Sequence, residues 1–170
     1  MKNFDMEKYT PAGIDYWQEF KWLAIGGGLS FFYSLGFLFR LNGAYERLFR
    51  RIGMRKVLIE GAIMPDFPVV LDKSLMGFGI LAFGMIILAV YHYSYHYQGS
   101  KSIYLMRRLP DRWELWRRCL TLPLLFAAAS LLLAGLLLLL YFGLYLLVTP
   151  AACLAPGQWQ KIWQVILPVY

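Results

Sequence analysis

CLTLPLLFAAASLLLAGLLLLLYFGLYLLV, Cys119 to Val148, is the stretch that decides the class of this chain. No Asp, Glu, Lys or Arg interrupts it. A helix that crosses a bilayer needs roughly 20 apolar residues for a hydrocarbon core of about 30 Å. This run covers 30 residues, which at ~1.5 Å per residue reach about 45 Å. It is too long for one untilted span and too short for two, so it is expected to tilt or to project past the membrane.

Working outward, two further runs have spanning length, residues 20–39 and residues 75–95. The whole composition agrees: 59% of residues are hydrophobic, 18% aromatic and only 16% charged, whereas a soluble domain carries about 25% charged residues. The expected fold is therefore an all-α integral membrane protein with about three transmembrane helices, residues 1–170 forming a single membrane domain. Within it, residues 1–19 are expected to form an interfacial N-terminal helix, because Tyr9, Tyr16, Trp17 and Phe20 lie among charges and amphipathic rings settle at headgroup level. Those residues also lack the basic start and short apolar core of a secretion signal, so the first span is expected to be retained. Residues 149–170 read as an interfacial tail or the start of a fourth span.

Small residues mark the first span: Gly26-Gly27-Gly28, then Ser30, Ser34 and Gly36. They allow close helix packing and equally a bend or a re-entrant loop. The net charge of +7 suits a chain oriented by its basic loops and in contact with anionic lipid rather than nucleic acid. Orientation is contested, however. Arg40, Arg47, Arg50, Arg51, Arg55, Lys56 and Lys73 follow the first span, and Lys101, Arg107, Arg108, Arg112, Arg117 and Arg118 follow the second. Three simple spans put these two groups on opposite faces, and the positive-inside rule cannot satisfy both.

Between the first two spans, Tyr45, Leu48, Phe49 and Ile52 recur at spacings of three and four. That periodicity predicts a basic amphipathic helix over 45–59, presenting Arg47, Arg50, Arg51 and Arg55 to the membrane surface. After it, Val57 to Leu71 is apolar but interrupted by Pro65 and Pro68, an irregular stretch that needs protein or water around it.

The segment from Gly99 to Arg118 is basic, aromatic and broken in the middle. Ile103 to Leu109 fits a short helix, which Pro110 stops for want of an amide proton. Asp111 stands at an N-cap position and Glu114 completes a capping-box pair, so a second helix should run from there into the third span. The product is a surface helix joined through a fixed corner to a transmembrane helix.

Gly99-Ser100 and Leu109-Pro110, followed by Arg112 and Trp113, resemble the loop between the second and third transmembrane helices of ABC-2-type transporter permeases. The order of interfacial helix, span, long connection, span, loop and span resembles the N-terminal half of that family. Tyr97-Gln98 replaces the acidic residue that the family carries before the glycine. The resemblance implies that residues 99–118 are cytoplasmic and form a short coupling helix. Tyr104, Leu105, Met106, Arg107 and Arg108 would then face a cytoplasmic ATP-binding subunit, with Leu109, Pro110 and Asp111 as the corner that transmits motion. It also implies a sister permease or a homodimer, in the cell membrane as a multi-pass protein.

No catalytic constellation, metal-ligand spacing or cofactor motif accompanies these features. Gly26-Gly27-Gly28 is followed by Leu29-Ser30-Phe31, without the lysine of a phosphate-binding loop, so the chain is expected to be no enzyme itself. His92 and His96 share a helix face amid tyrosines and read as part of an interfacial aromatic belt. Cys119 and Cys153 read as free, buried thiols. The alternative to a transport subunit is a non-transporting membrane adaptor or regulatory subunit of a larger complex.

Overall fold

The computed structural model describes residues 16–97 and 113–166. In order, α1 runs Tyr16–Ser34, α2 Gly36–Glu46, β1 Phe49–Ile52, β2 Arg55–Leu58, α3 Phe67–Leu71, α4 Met76–Tyr97 and α5 Trp113–Val148; a 3₁₀ turn at Ala151–Cys153 precedes α6, Gln158–Ile166. Three stretches are long and apolar enough to cross a membrane: Trp17–Glu46, Met76–Ser94 and Cys119–Val148.

The first of these does not break at its glycines. Helix α1 passes through Gly26-Gly27-Gly28, and the one irregularity falls at Leu35, which keeps helical dihedrals of −63° and −16°. Its N–H is shared between the carbonyls of Phe31 and Phe32 at 3.3 and 3.2 Å, and Leu38 N–H donates to the Leu35 carbonyl at 2.9 Å. This is a tightened turn between Ser34 and Gly36, the kind of pair at which helices kink. The stretch Trp17–Glu46 is thus helical on both sides of Leu35 and long and apolar enough to cross a membrane.

Helix α5 is a single helix of 36 residues, with Pro123 inside it, about 54 Å long at ~1.5 Å per residue. Ala127, Ser130, Leu137, Leu138, Tyr141, Phe142 and Tyr145 are buried along one helical stripe, while Leu132, Leu136 and Leu147 are 70%, 65% and 82% exposed. A surface of that kind is suited to hydrocarbon rather than water.

By contact the chain divides into two compact units. The first comprises the described residues up to Ser30 and from Gly77 to Leu133. Here α1 and α4 approach side by side. A β-carbon placed on Gly77 would lie 3.1 Å from the Cα of Ser30, and one on Gly26 would lie 2.9 Å from the Leu81 side chain. Gly27 and Gly28 face open space, so the close packing expected of the small residues is confined to one helix face.

The second unit comprises Phe31–Met76 and the described residues from Ala134 onward. Its core is aromatic. Phe37 stacks on Tyr141 at 4.5 Å, and Phe67, fully buried, meets Phe142 at 5.1 Å and Tyr145 at 5.6 Å. The irregular backbone before α3 is satisfied by protein, as its position requires. Met64 N–H donates to the Cys153 carbonyl at 2.8 Å, and the Tyr145 hydroxyl donates to the Pro65 carbonyl at 2.9 Å. Phe67 N–H donates to Gln158 Oε1 at 3.2 Å.

One expectation is overturned. Residues 45–59 are not an amphipathic helix: β1 and β2 form an antiparallel hairpin with Phe49 opposite Leu58 and Ile52 opposite Arg55. Gly53, at φ +62°, opens its two-residue turn, the backbone that a tight hairpin demands and that only glycine adopts without strain. The described residues are accordingly mostly helical, with one small sheet among them.

Candidate functional site

Residues Tyr104, Leu105, Met106, Arg107, Arg108, Leu109, Pro110 and Asp111, expected to form the coupling surface and its corner, lie outside the described residues. The described backbone resumes at Trp113, already helical, and continues without interruption to Val148. The segment that enters the third span is therefore helical several residues before Cys119, where the apolar run begins.

On the other flank of that segment stands α4, and near its end lies a contact that the sequence reading missed. Nε2 of His92 lies 2.7 Å from Oε1 of Glu19, so the imidazole N–H donates to the carboxylate. His92 is 2% exposed, and its Nδ1 has no hydrogen-bond partner. Glu19 sits in the first turn of α1, where a carboxylate complements the positive end of the helix dipole. The pair fastens the start of α1 to the end of α4, close along the chain to residues 99–112. His92 is thus an internal fastener and not a member of the surface belt. Tyr91, beside it, is 59% exposed. The sequence offered no cue to the pairing, because Glu19 and His92 lie on different helices and meet only after those helices pack.

In the second unit, two polar clusters fix the loop between the first two spans. The Arg40 guanidinium donates to the Leu71 carbonyl at 3.3 Å and to Ser74 Oγ at 3.0 Å, and pairs with the Asp72 carboxylate at 3.2 Å. Asp72 has φ +45°, a left-handed conformation unusual for a side-chain-bearing residue, and Arg40 wraps the turn that contains it. Asp66 receives Lys161 Nζ at 2.7 Å and Gln158 Nε2 at 3.0 Å. These donors hold its carboxyl below the ordinary carboxylate range, the Lys161 bond contributing most. The pattern Asp66-Phe67-Pro68 was a legible start signal for α3, with the acidic residue at the N-cap and proline just inside.

The four arginines expected at the membrane surface are all on the surface. Arg47 is the C-cap of α2, Arg50 and Arg51 lie in β1, and Arg55 begins β2. All four are exposed, and none forms an ion pair with another described residue. Cys119 and Cys153 are free and buried. Among the described residues no cluster of three or more His, Cys, Asp or Glu could hold a metal ion.

No protein-family model, curated protein or solved structure matches this chain.

Proposed function

We propose that this chain is a permease-like transmembrane subunit of an ATP-driven ABC transporter, receiving conformational change from a separate cytoplasmic ATPase through residues 99–112. The observation that carries the reading is the continuity of α5. It begins three positions beyond Pro110 and runs unbroken to Val148. Apart from the one hydrogen bond that Pro123 removes, the helix is continuous and resists bending, so displacement of its first turn is carried along it as tilt rather than local unwinding. The Glu19–His92 contact supports the same reading, since it braces the helix that leads into the segment.

In this arrangement Tyr104, Leu105, Met106, Arg107 and Arg108 meet the ATP-binding subunit, and Leu109, Pro110 and Asp111 form the corner. The chain supplies no nucleotide-binding motif of its own. A sister permease or a second copy covers part of the exposed apolar surface in the cell membrane, and lipid covers the rest.

A second reading, a non-transporting adaptor, has one observation in its favour. Several polar side chains on the spans are satisfied inside the chain: Ser30 donates to the Gly26 carbonyl, Ser130 to the Ala127 carbonyl, and Ser34 bonds the Tyr141 hydroxyl. Purification of the tagged chain in mild detergent, with mass spectrometry of what stays bound, separates the two. A transport subunit retains a soluble ATP-binding protein and loses it when residues 103–109 are scrambled. Replacing Pro110 and Asp111 with Ala leaves that assembly intact but abolishes substrate-stimulated ATP hydrolysis. Recovery of membrane proteins alone overturns the transport reading.

A further inference from the structure

The hairpin sorts the surface arginines in a way that a helix would not. Neighbouring residues of a strand point to opposite faces, so Arg50 and Arg51 part company. The pairs Phe49–Leu58 and Arg51–Lys56 share one face, and Arg50, Val57 and Arg55 share the other. The first face is turned toward α2. Lys56 Nζ donates to both carboxylate oxygens of Glu46 at 2.5 and 2.8 Å, the Phe49 ring lies 4.9 Å from that of Tyr45, and Arg51 lies within the field of the same carboxylate.

The second face has no such compensation. Arg50 stands opposite Val57, and Arg55 lies two residues before Val57 on the partner strand. Diagonal neighbours of this kind are about 7–8 Å apart. Both arginines are exposed, no described carboxylate pairs with either, and Val57 between them is 46% exposed. Two like charges projecting from such neighbouring positions repel, an anion between them relieves the repulsion, and guanidinium groups match the geometry of phosphate oxygens.

The position of the hairpin selects the source of the phosphate. It begins three residues after Glu46, the end of a 30-residue spanning stretch. That stretch, about 45 Å long, outruns a hydrocarbon core of about 30 Å and ends within the headgroup layer. Met54 at the hairpin tip, with Ile59 and Ile63 beyond it, exposes apolar side chains beside the arginines, a mixture suited to the bilayer interface. We propose that Arg50 and Arg55 form a binding pair for the phosphate of anionic phospholipid headgroups, with Val57 against the lipid and with Arg51 and Lys56 excluded from the site.

The test uses the full chain in mild detergent, exchanged against mixed phosphatidylglycerol and phosphatidylcholine, with retained lipid read by native mass spectrometry. Two double variants carry the same change of charge, R50Q/R55Q and R47Q/R51Q. The first is expected to lose phosphatidylglycerol retention by about fivefold per arginine, the attraction of one basic side chain to anionic lipid. The second is expected to change it less than about twofold, being outside the site, and R50K/R55K to restore part of the loss because it keeps the charge but not the bidentate fork. Equal loss in the two glutamine variants means diffuse attraction and overturns the pair. Unchanged retention in R50Q/R55Q overturns it as well, and displacement of the lipid by inorganic phosphate at a comparable concentration overturns the lipid as its occupant.

Discussion

At the scale of single residues, this chain places polarity where a partner inside the chain absorbs it. Nε2 of His92 is tied to Glu19 while its Nδ1 is buried without a partner. Removing one member of a buried charged contact strands the other, and that penalty exceeds the worth of the contact itself. His92→Leu is therefore expected to lower the melting temperature in detergent more than the double variant Glu19→Leu/His92→Leu, which removes both. Equal or additive losses would show that the two groups are not coupled. Asp72 presents a backbone problem instead, with φ +45°. Glycine adopts that conformation freely and alanine does not. Asp72→Gly and Asp72→Ala both lose the Arg40 pair, but the glycine variant is expected to melt as the more stable of the two, by about 1–2 kcal/mol.

At the scale of elements, α6 shows how a short amphipathic segment becomes a fixed part of the fold. Ile162 and Gln158 are buried, Trp159 packs on Phe142 at 4.8 Å, and Lys161 and Gln158 converge on Asp66. A helix of 9 residues is marginal on its own in water, so its persistence depends on these contacts. Because the folded structure lowers the Asp66 pKa, the clasp contributes stability at pH values above the ordinary carboxyl value of 3.8. It loses that contribution as the pH falls through the lower, folded value. The hydrogen-exchange protection factor over residues 158–166, taken relative to the intrinsic amide rate at each pH, is expected to be constant near neutrality and to fall below about pH 4. Asp66→Asn should exchange faster at neutral pH and lose the acid-dependent step. The gain is modest, since the Lys161 and Asp66 side chains are 28% and 38% exposed and water screens them.

At the scale of the whole molecule, three stretches long and apolar enough to cross a membrane would decide, once inserted, which connections share a face. The loop after α2 and the segment after α5 touch through Met64 and Cys153 and through Asp66 and Lys161, so in a bilayer they would share one face. If each long stretch crosses the bilayer once, residues 98–112 belong to the other. With both native cysteines replaced by alanine, Met54→Cys and Gln160→Cys are expected to react with an impermeant maleimide from the same side of intact cells. Lys101→Cys should react only after the membrane is opened. Labelling of all three from one side would overturn the three-span arrangement, because α4 separates Met54 from Lys101 and α5 separates Lys101 from Gln160.

What the sequence determined by itself is the helical class and the position of three stretches long and apolar enough to cross a membrane. Hydrocarbon tolerates few solutions for a backbone whose polar groups must be satisfied internally, and a run such as Cys119 to Val148 leaves only one of them. Local chemistry also foretold the irregular stretch around Pro65 and Pro68 and the free, buried state of the two cysteines. The hairpin was legible in principle, since Gly53-Met54 separates two short runs, but Tyr45, Leu48, Phe49 and Ile52 mimic a helical period. A short mixed segment carries too few residues for period alone to choose between helix and strand. Tertiary structure decided what depends on distant residues meeting: Glu19 with His92, Asp66 with Lys161, and Arg50 apart from Arg51. Such contacts arise only when packing brings separate elements together, and no spacing along the chain records them.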